Sequence, residues 1–207
     1  EDAKILVALQ NKGIKVRIAE QGFTIGGIAY KAGTLLVYRT DNEKKMSNFQ
    51  GQIERLFKDL NANFRVLSSG YVEKGKDLGS SVYRLLAEPK VAVLSGSEVS
   101  SQSLGEVWHF FEQEFDYPIQ LMNVAAAANL DIHKINTLIV PDGYYGDKLA
   151  EQLVPWINSG GKLIILEDAI NAFAGKKPFQ IKRKEEPKSP NAKTETQSYS
   201  SRDHDDF

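Results

Sequence analysis

The second half of the chain alternates short apolar runs with helical patterns, and this alternation constrains the fold more than any other feature. Strands that are separated by helices form parallel sheets, and helices then cover both faces of the sheet. We therefore predict the α/β class, with a three-layer architecture around a mostly parallel sheet. The predicted strands are Lys90–Leu94, Ile119–Met122, Ile135–Val140 and Leu163–Leu166, and the helices between them include Asp147–Asn158 and one that a capping box at Ser103 and Glu106 opens.

Residues 1–88 are less regular, and we assign them to an N-terminal α/β segment. Gly26-Gly27 lies between two apolar triplets, which predicts a β-hairpin because glycines supply the positive φ of a tight hairpin turn. We place the boundary near Glu88-Pro89 and expect one core to continue across it. The other predicted elements are helices at Ala3–Lys12 and Ser47–Leu60 and strands at Ile14–Val16, Thr34–Tyr38 and Phe64–Leu67.

Composition excludes several functions. The net charge of −1 provides no general attraction for nucleic acid, and no apolar run approaches the roughly 20 residues that span a bilayer. The chain has no cysteine, so it has neither disulfides nor thiolate metal sites. It opens with Glu1 and shows no signal peptide, and the missing initiator methionine indicates a piece of a longer polypeptide. Residues 89–175 form the main predicted domain, and we predict that residues 176–207 are a polar, disordered loop or linker.

Three segments carry a family resemblance. They are Asp77–Ser80 with Pro89–Gly96, then Gly105–Phe111, then Ile139–Tyr144. In this order they resemble the flavodoxin-like domain, related to class I glutamine amidotransferases, that follows the peptidase domain in large bacterial zinc carboxypeptidases of the carboxypeptidase A type. The resemblance implies a periplasmic or secreted parent that holds zinc in an upstream peptidase domain, with no cofactor in this chain. The upstream domain would then be its partner.

The turn after the last strand departs from the amidotransferase pattern. Gly160-Gly161 leads into the strand, and the strand ends at Glu167, where the family carries its nucleophilic cysteine. A carboxylate does not replace a thiolate in amide transfer. Asp142, in the turn that resembles an oxyanion hole, brings negative charge where an oxyanion would need positive partners. We therefore expect no catalytic residues and a non-catalytic accessory role in domain packing or recognition of a peptide or glycan.

Polar residues at the carboxyl ends of the strands form the candidate ligand site. That edge is where open α/β sheets bind ligands. Two alternatives to the accessory role follow from it: a module that binds a cation or a carbohydrate, and a hydrolase that uses Glu167. The structural interpretation is that Asp168 caps the last helix and Glu167 is solvated. The candidate residues are Ser95, Ser97, Glu106, Asp142, Tyr144, Glu167 and Asp168.

Two further patterns favour structural interpretations. His109 and Glu112 match the H-x-x-E spacing of carboxypeptidase zinc ligands, but they lie in mid-helix and lack a third ligand, so we predict no metal site. We expect Trp108 to be in the core, together with Phe110. Tyr144 and Tyr145 are expected at a pocket rim or a domain contact, because aromatic side chains often anchor interfaces.

Overall fold

The computed structural model describes residues 2–44 and 48–182. The helices are α1 (Asp2–Asn11), α2 (Arg39–Asn42), α3 (Phe49–Asp59), α4 (Ser101–His109) and α5 (Leu149–Asn158). The strands are β1 (Arg17–Ala19), β2 (Phe23–Ile25), β3 (Ile28–Tyr30), β4 (Leu35–Leu36), β5 (Tyr83–Leu85), β6 (Val91–Ser95), β7 (Gln120–Asn123), β8 (Thr137–Val140) and β9 (Lys162–Ile165). A π-helical turn (Phe110–Glu114) continues α4, and 3-10 helices occupy Val124–Asn129 and Glu167–Ala172.

The N-terminal region contains two small antiparallel sheets. One has the order β4-β1-β5, and the other is the predicted hairpin of β2 and β3, in which Gly26 and Gly27 both have positive φ. Side-chain bonds hold the short strands. Arg17 donates two hydrogen bonds to the carboxylate of Asp41 and a third to the carbonyl of Tyr83 at 3.0 Å, and it lies over the ring of Tyr38. A buried Asn42 bonds to the backbone N–H and C=O of Lys15.

The C-terminal region is built on a four-stranded parallel sheet in the order β7-β6-β8-β9. Alternate side chains of each strand point to opposite faces, so each central strand contributes to two apolar clusters. Ala92 and Leu94 pack with α5 on one face, whereas Val91 and Val93 pack with α4 on the other. This arrangement confirms the predicted α/β class, with a parallel sheet between helices.

Several predicted strands of the N-terminal region are wrong. Phe64–Leu67 is not a strand, and Val66 in its middle is 57% exposed. The strand predicted at Ile14–Val16 lies further along, at β1, while Ile14 and Val16 are buried in the approach to it. The sequence analysis missed β5, which pairs antiparallel with β1. A three-residue strand offers too few alternations to be recognised from its side chains.

The predicted positions of two aromatic residues around α4 are also wrong. Trp108 is 45% exposed and Phe110 is 51% exposed, because the helix turns only its Leu104 and Val107 side towards the sheet. The capping box is wrong too. Ser100 caps α4 by accepting a hydrogen bond from the backbone N–H of Ser103 at 3.4 Å.

The expected single core is wrong, because the buried residues form separate clusters. Two clusters belong to the N-terminal region and two flank the parallel sheet. Polar contacts between the regions include an ion pair of Lys4 with Glu114 at 2.8 Å, and a hydrogen bond from Asn11 to the carbonyl of Asp116 at 3.0 Å.

The chain keeps apolar contacts beyond residue 175. Phe179 stacks edge-on against the fully buried Phe173, and Ile181 packs against the same cluster. Gly175 donates its N–H to the carbonyl of Ile181, and Lys176 pairs with Asp147 at 3.0 Å. Residues 176–182 therefore include buried contacts that the polar-linker prediction did not foresee, and residues 183–207 lie outside the described part of the chain. Among the described residues, the helices are too short and too polar to cross a membrane.

Candidate functional site

The parallel sheet brings the ends of three predicted site strands to one edge. β6 pairs with β8 and β8 pairs with β9, all in parallel register, so their carboxyl ends point the same way. Ser95 ends β6, Asp142 follows β8, and Glu167 follows β9. The topology thus places these three residues along the edge where the sequence analysis expected a ligand site.

The loops that follow β6 and β8 are hydrogen-bonded to each other across this edge. The N–H of Ser100 donates to the carbonyl of Asp142 at 2.8 Å, and Val99 forms an isolated β-bridge with Gly143. Gly143 is required at this contact, because a Cβ there would lie 2.3 Å from the carbonyl oxygen of Glu98. The backbones therefore close the space between the two loops where a ligand crevice was expected.

The turn that resembles an oxyanion hole already has acceptors for two of its backbone donors. The N–H of Asp142 donates to the buried hydroxyl of Ser103 at 3.1 Å. The N–H of Tyr144 donates to the carbonyl of Glu98 at 2.7 Å. An oxyanion hole needs donors that are aimed at the reacting oxygen and not committed elsewhere. These two donors are held by the protein itself.

Glu167 stands in an unusual backbone conformation. Its φ is 49°, in the left-handed region, where a residue other than glycine is uncommon. The predicted turn after β9 is therefore present, and the helix that follows it is a 3-10 helix (Glu167–Ala172). Both Glu167 and Asp168 are exposed, and neither side chain caps this helix, which begins after Leu166 without a side-chain cap.

The other predicted site residues, Ser97, Glu106 and Tyr144, are exposed and lie apart from one another in the sequence. Ser97 is exposed, and its hydroxyl bonds to the carboxylate of Glu98 at 3.2 Å. Glu106 lies on the exposed side of α4, where it accepts a hydrogen bond from Gln102 one turn earlier. Tyr144 is 95% exposed and contributes no packing at the edge. The edge therefore presents separate solvated side chains on a closed backbone surface.

Ser103 and Tyr145 are the residues at this edge whose roles the sequence analysis missed. The hydroxyl of the buried Tyr145 donates to the carbonyl of Pro141 at 2.7 Å. Burial raises the pKa of Tyr145, and the nearby carboxylates of Asp142 and Glu98 raise it further. The predicted position of Tyr145 at a pocket rim or a domain contact is wrong, because Tyr145 is 8% exposed and packs in the cluster under α5. No sequence signal pointed to the bond from Asp142 to Ser103.

Within residues 2–44 and 48–182, no group of three His, Cys, Asp or Glu side chains is placed to hold a metal ion. A shallow depression lies in the N-terminal region, between the end of α1 and helix α3, and its lining residues precede the strand-end loops in the sequence. Its lining includes Lys12, Ile14, Arg55 and Asp59.

Comparison with known proteins identifies no relative: no protein family, no curated protein and no solved structure matches this chain. The fold defines the chain as an α/β protein with a four-stranded parallel sheet and small N-terminal antiparallel sheets.

Proposed function

We propose that this chain is a non-catalytic accessory module with a flavodoxin-like, class I amidotransferase-like sheet, acting in a zinc carboxypeptidase-type protein. In this proposal the parent is periplasmic or secreted, and its zinc and its metallocarboxypeptidase activity belong to an upstream domain. The module packs against that domain or helps it recognise a peptide or glycan. The strand order supports the flavodoxin-like assignment, because β6, the first strand of the sheet, lies between the second and the third.

The observation that carries the proposal is that two backbone N–H groups in the turn after β8 donate hydrogen bonds to acceptors within the protein. In an amidotransferase, donors in this turn stabilise the negative oxygen of the intermediate. Here Ser103 and Glu98 accept the hydrogen bonds of Asp142 and Tyr144. The absence of cysteine from the chain removes the nucleophile as well. These two donors could stabilise a reacting oxygen only if the hydrogen bonds to Ser103 and Glu98 were first broken.

One observation favours a hydrolase as the second candidate. The left-handed backbone of Glu167 is the kind of strained conformation that is enriched at functional sites. Its carboxylate is exposed just after β9, next to that of Asp168, and could act as a nucleophile or a general base. The exposed carboxylates of Glu167 and Asp168 also keep open the third candidate, a module that binds a cation or a carbohydrate.

A substrate screen separates catalysis from the other two candidates. The purified chain and its Glu167→Gln and Asp168→Asn variants are incubated with peptides, carboxamides, esters and glycosides, and product is measured by mass spectrometry. The accessory proposal expects no turnover that depends on Glu167. Turnover that Glu167→Gln abolishes and Asp168→Asn preserves would establish the hydrolase instead. Calorimetric titration of the same three proteins with Ca²⁺ and with oligosaccharides tests the binding candidate.

The proposed parent is tested on the native polypeptide. An antibody raised against this chain is used to blot fractionated source cells. A band several times larger than 23.1 kDa in the envelope or secreted fraction supports the accessory role, and carboxypeptidase activity is then compared with and without this region. A band near 23.1 kDa in the cytoplasm overturns the proposed parent.

A further inference from the structure

Strand β9 is an open edge of the parallel sheet. Within the described residues it pairs with β8 and with no other strand. Lys162 and Leu166 donate their N–H groups towards β8, to Asn136 and Val140, each at 3.0 Å. Because backbone groups alternate along a strand, the N–H and C=O of Leu163 and Ile165 point away from the sheet. Within residues 2–44 and 48–182, four backbone groups on this edge therefore have no strand partner and can pair with another strand.

Between Lys162 and Glu167, this edge lacks the side chains that usually protect an edge strand against pairing. Leu163, Ile164 and Ile165 are consecutive and apolar, and no proline, bulge or charge interrupts them. Ile164 is 45% exposed on the α4 face, although it lies beside Ile139, which is buried under α4. The opposite edge, β7, is better protected: Pro118 precedes it, and it begins with Gln120 and ends with Asn123.

We propose that β9 pairs antiparallel with β9 of a second copy of this chain, about a two-fold axis that passes midway between the Ile164 residues of the two copies. This inference is independent of the proposed function. A two-fold axis perpendicular to the sheet keeps each face of one copy continuous with the same face of the other, so directly opposed residues must lie on the same face. An axis between the two Ile164 residues meets this condition, because it places Leu163 opposite the partner's Ile165 on the same face.

This register satisfies the free backbone groups. Leu163 and the partner's Ile165 exchange two hydrogen bonds, and the symmetric pair exchanges two more, which uses all four groups of each edge. Ile164 then lies against the partner's Ile164 at a close, non-hydrogen-bonded position, which buries the exposed part of both side chains.

The charges at the ends of β9 fit the same arrangement. Lys162 begins the strand, and Glu167 and Asp168 follow its end. Antiparallel pairing brings Lys162 of each copy towards the acidic end of the other, so opposite charges approach twice across the axis. A strand with the same charge at both ends would repel its own copy. The edge is therefore self-complementary in hydrogen bonding, in apolar surface and in charge.

Sedimentation velocity on the 207-residue chain, over a wide range of concentrations, tests the inference. We expect a species of twice 23.1 kDa as the concentration rises. Ile164→Lys is expected to raise the dimer dissociation constant by at least about tenfold, since like charges would then face each other at the axis. Leu121→Lys is the matched control, because Leu121 is 47% exposed on the same face of the other edge.

A charge-swap experiment tests the register itself. Ile164→Lys and Ile164→Glu should each be monomeric alone and should form a heterodimer when mixed, because the two side chains face each other only in the Ile164-centred register. Circular dichroism confirms that the variants fold; if a charged variant does not, Ile164→Thr is measured alone, and it is expected to raise the dimer dissociation constant because it removes apolar contact at the axis. A monomeric wild-type chain at every concentration, an equal effect of Leu121→Lys, or no association of the mixed variants would each overturn the proposal.

Discussion

The strands of the N-terminal region are two or three residues long, whereas those of the parallel sheet are four or five. The two regions are also held differently. Arg17, Asp41 and Asn42 bond the short strands and the turns beside them through half-buried or buried polar side chains. In the parallel sheet, Ala92, Leu94, Leu138 and Val140 are fully buried, and apolar packing replaces polar bonds.

The comparison shows that strand length determines which interactions stabilise a region. A short strand buries little apolar surface, so it relies on a few directional bonds to fix its neighbours. A longer strand between helices buries side chains on both faces and tolerates the loss of one polar bond. Substitutions in the two regions should therefore have different sizes and different dependence on pH.

The largest expected effect is the loss of a buried ring in the parallel-sheet region. Trp156 is 3% exposed, and its indole N–H donates to the carbonyl of Ile135 at 2.9 Å. Trp156→Ala should lower the free energy of unfolding by about 3–5 kcal/mol, because it leaves a cavity and an unpaired carbonyl. Urea denaturation followed by circular dichroism measures the change. The exposed Trp108→Ala is the control, and a similar loss in both variants would contradict the difference in burial.

An intermediate effect is expected where the two strand-end loops meet. A Cβ at Gly143 would lie 2.3 Å from the carbonyl oxygen of Glu98, so Gly143→Ala must push the loops apart. We expect a loss of about 1–3 kcal/mol, typical of overpacking. Thermal unfolding of this variant is compared with Gly146→Ala, where an added Cβ meets nothing within 4 Å. Equal stability of the two variants would show that the loops are not held together.

The smallest of the three effects is expected in the N-terminal region, and it depends on pH. The hydrogen bond from Arg17 lowers the pKa of Asp41, so the pair adds stability above the carboxyl pKa of the unfolded chain and loses it as pH falls through the folded pKa. Asp41→Asn should cost about 1–2 kcal/mol at neutral pH, and the difference from wild type should shrink in acid. Urea titrations at several pH values measure this.

The control for that experiment is Glu43→Gln. Glu43 pairs with Arg39 at 3.0 Å, but both side chains are well exposed, so the pair contributes little. If Asp41→Asn costs no more than Glu43→Gln, or if its cost does not change with pH, then the half-buried pair does not stabilise the N-terminal region.

The sequence predicted the parallel sheet well because its strands are continuous apolar runs between recognisable helices. β6 and β8 match their predicted positions to within two residues. The N-terminal strands were harder to predict because a strand as short as β5 depends on its pairing with β1, which involves residues more than 60 positions apart. Phe64–Leu67 shows the reverse error, since an apolar run without a partner strand stays irregular.

The position of the candidate site could be predicted from the sequence, but the hydrogen bonds that occupy its backbone donors could not. The strand ends identified the edge, and the turn at Glu167 has the sharp backbone that the pattern predicted. Nothing in the sequence revealed that Ser103 and Glu98 would accept the hydrogen bonds of the neighbouring turn, because those acceptors come from the first turn of α4 and the loop before it, about 40 residues earlier. The family resemblance and the accessory function that it implies stay predictions.

The packing of Phe179 and Ile181 against the core has a consequence for biosynthesis. During translation the N-terminal clusters are complete well before the parallel sheet has been made, since no described residue beyond Leu86 contributes to them. The cluster under α5 gains its last described contacts only when Ile181 has left the ribosome. The nascent chain therefore carries an unfinished apolar surface after β9 has been synthesised, and this is the interval in which a chaperone would have most to bind.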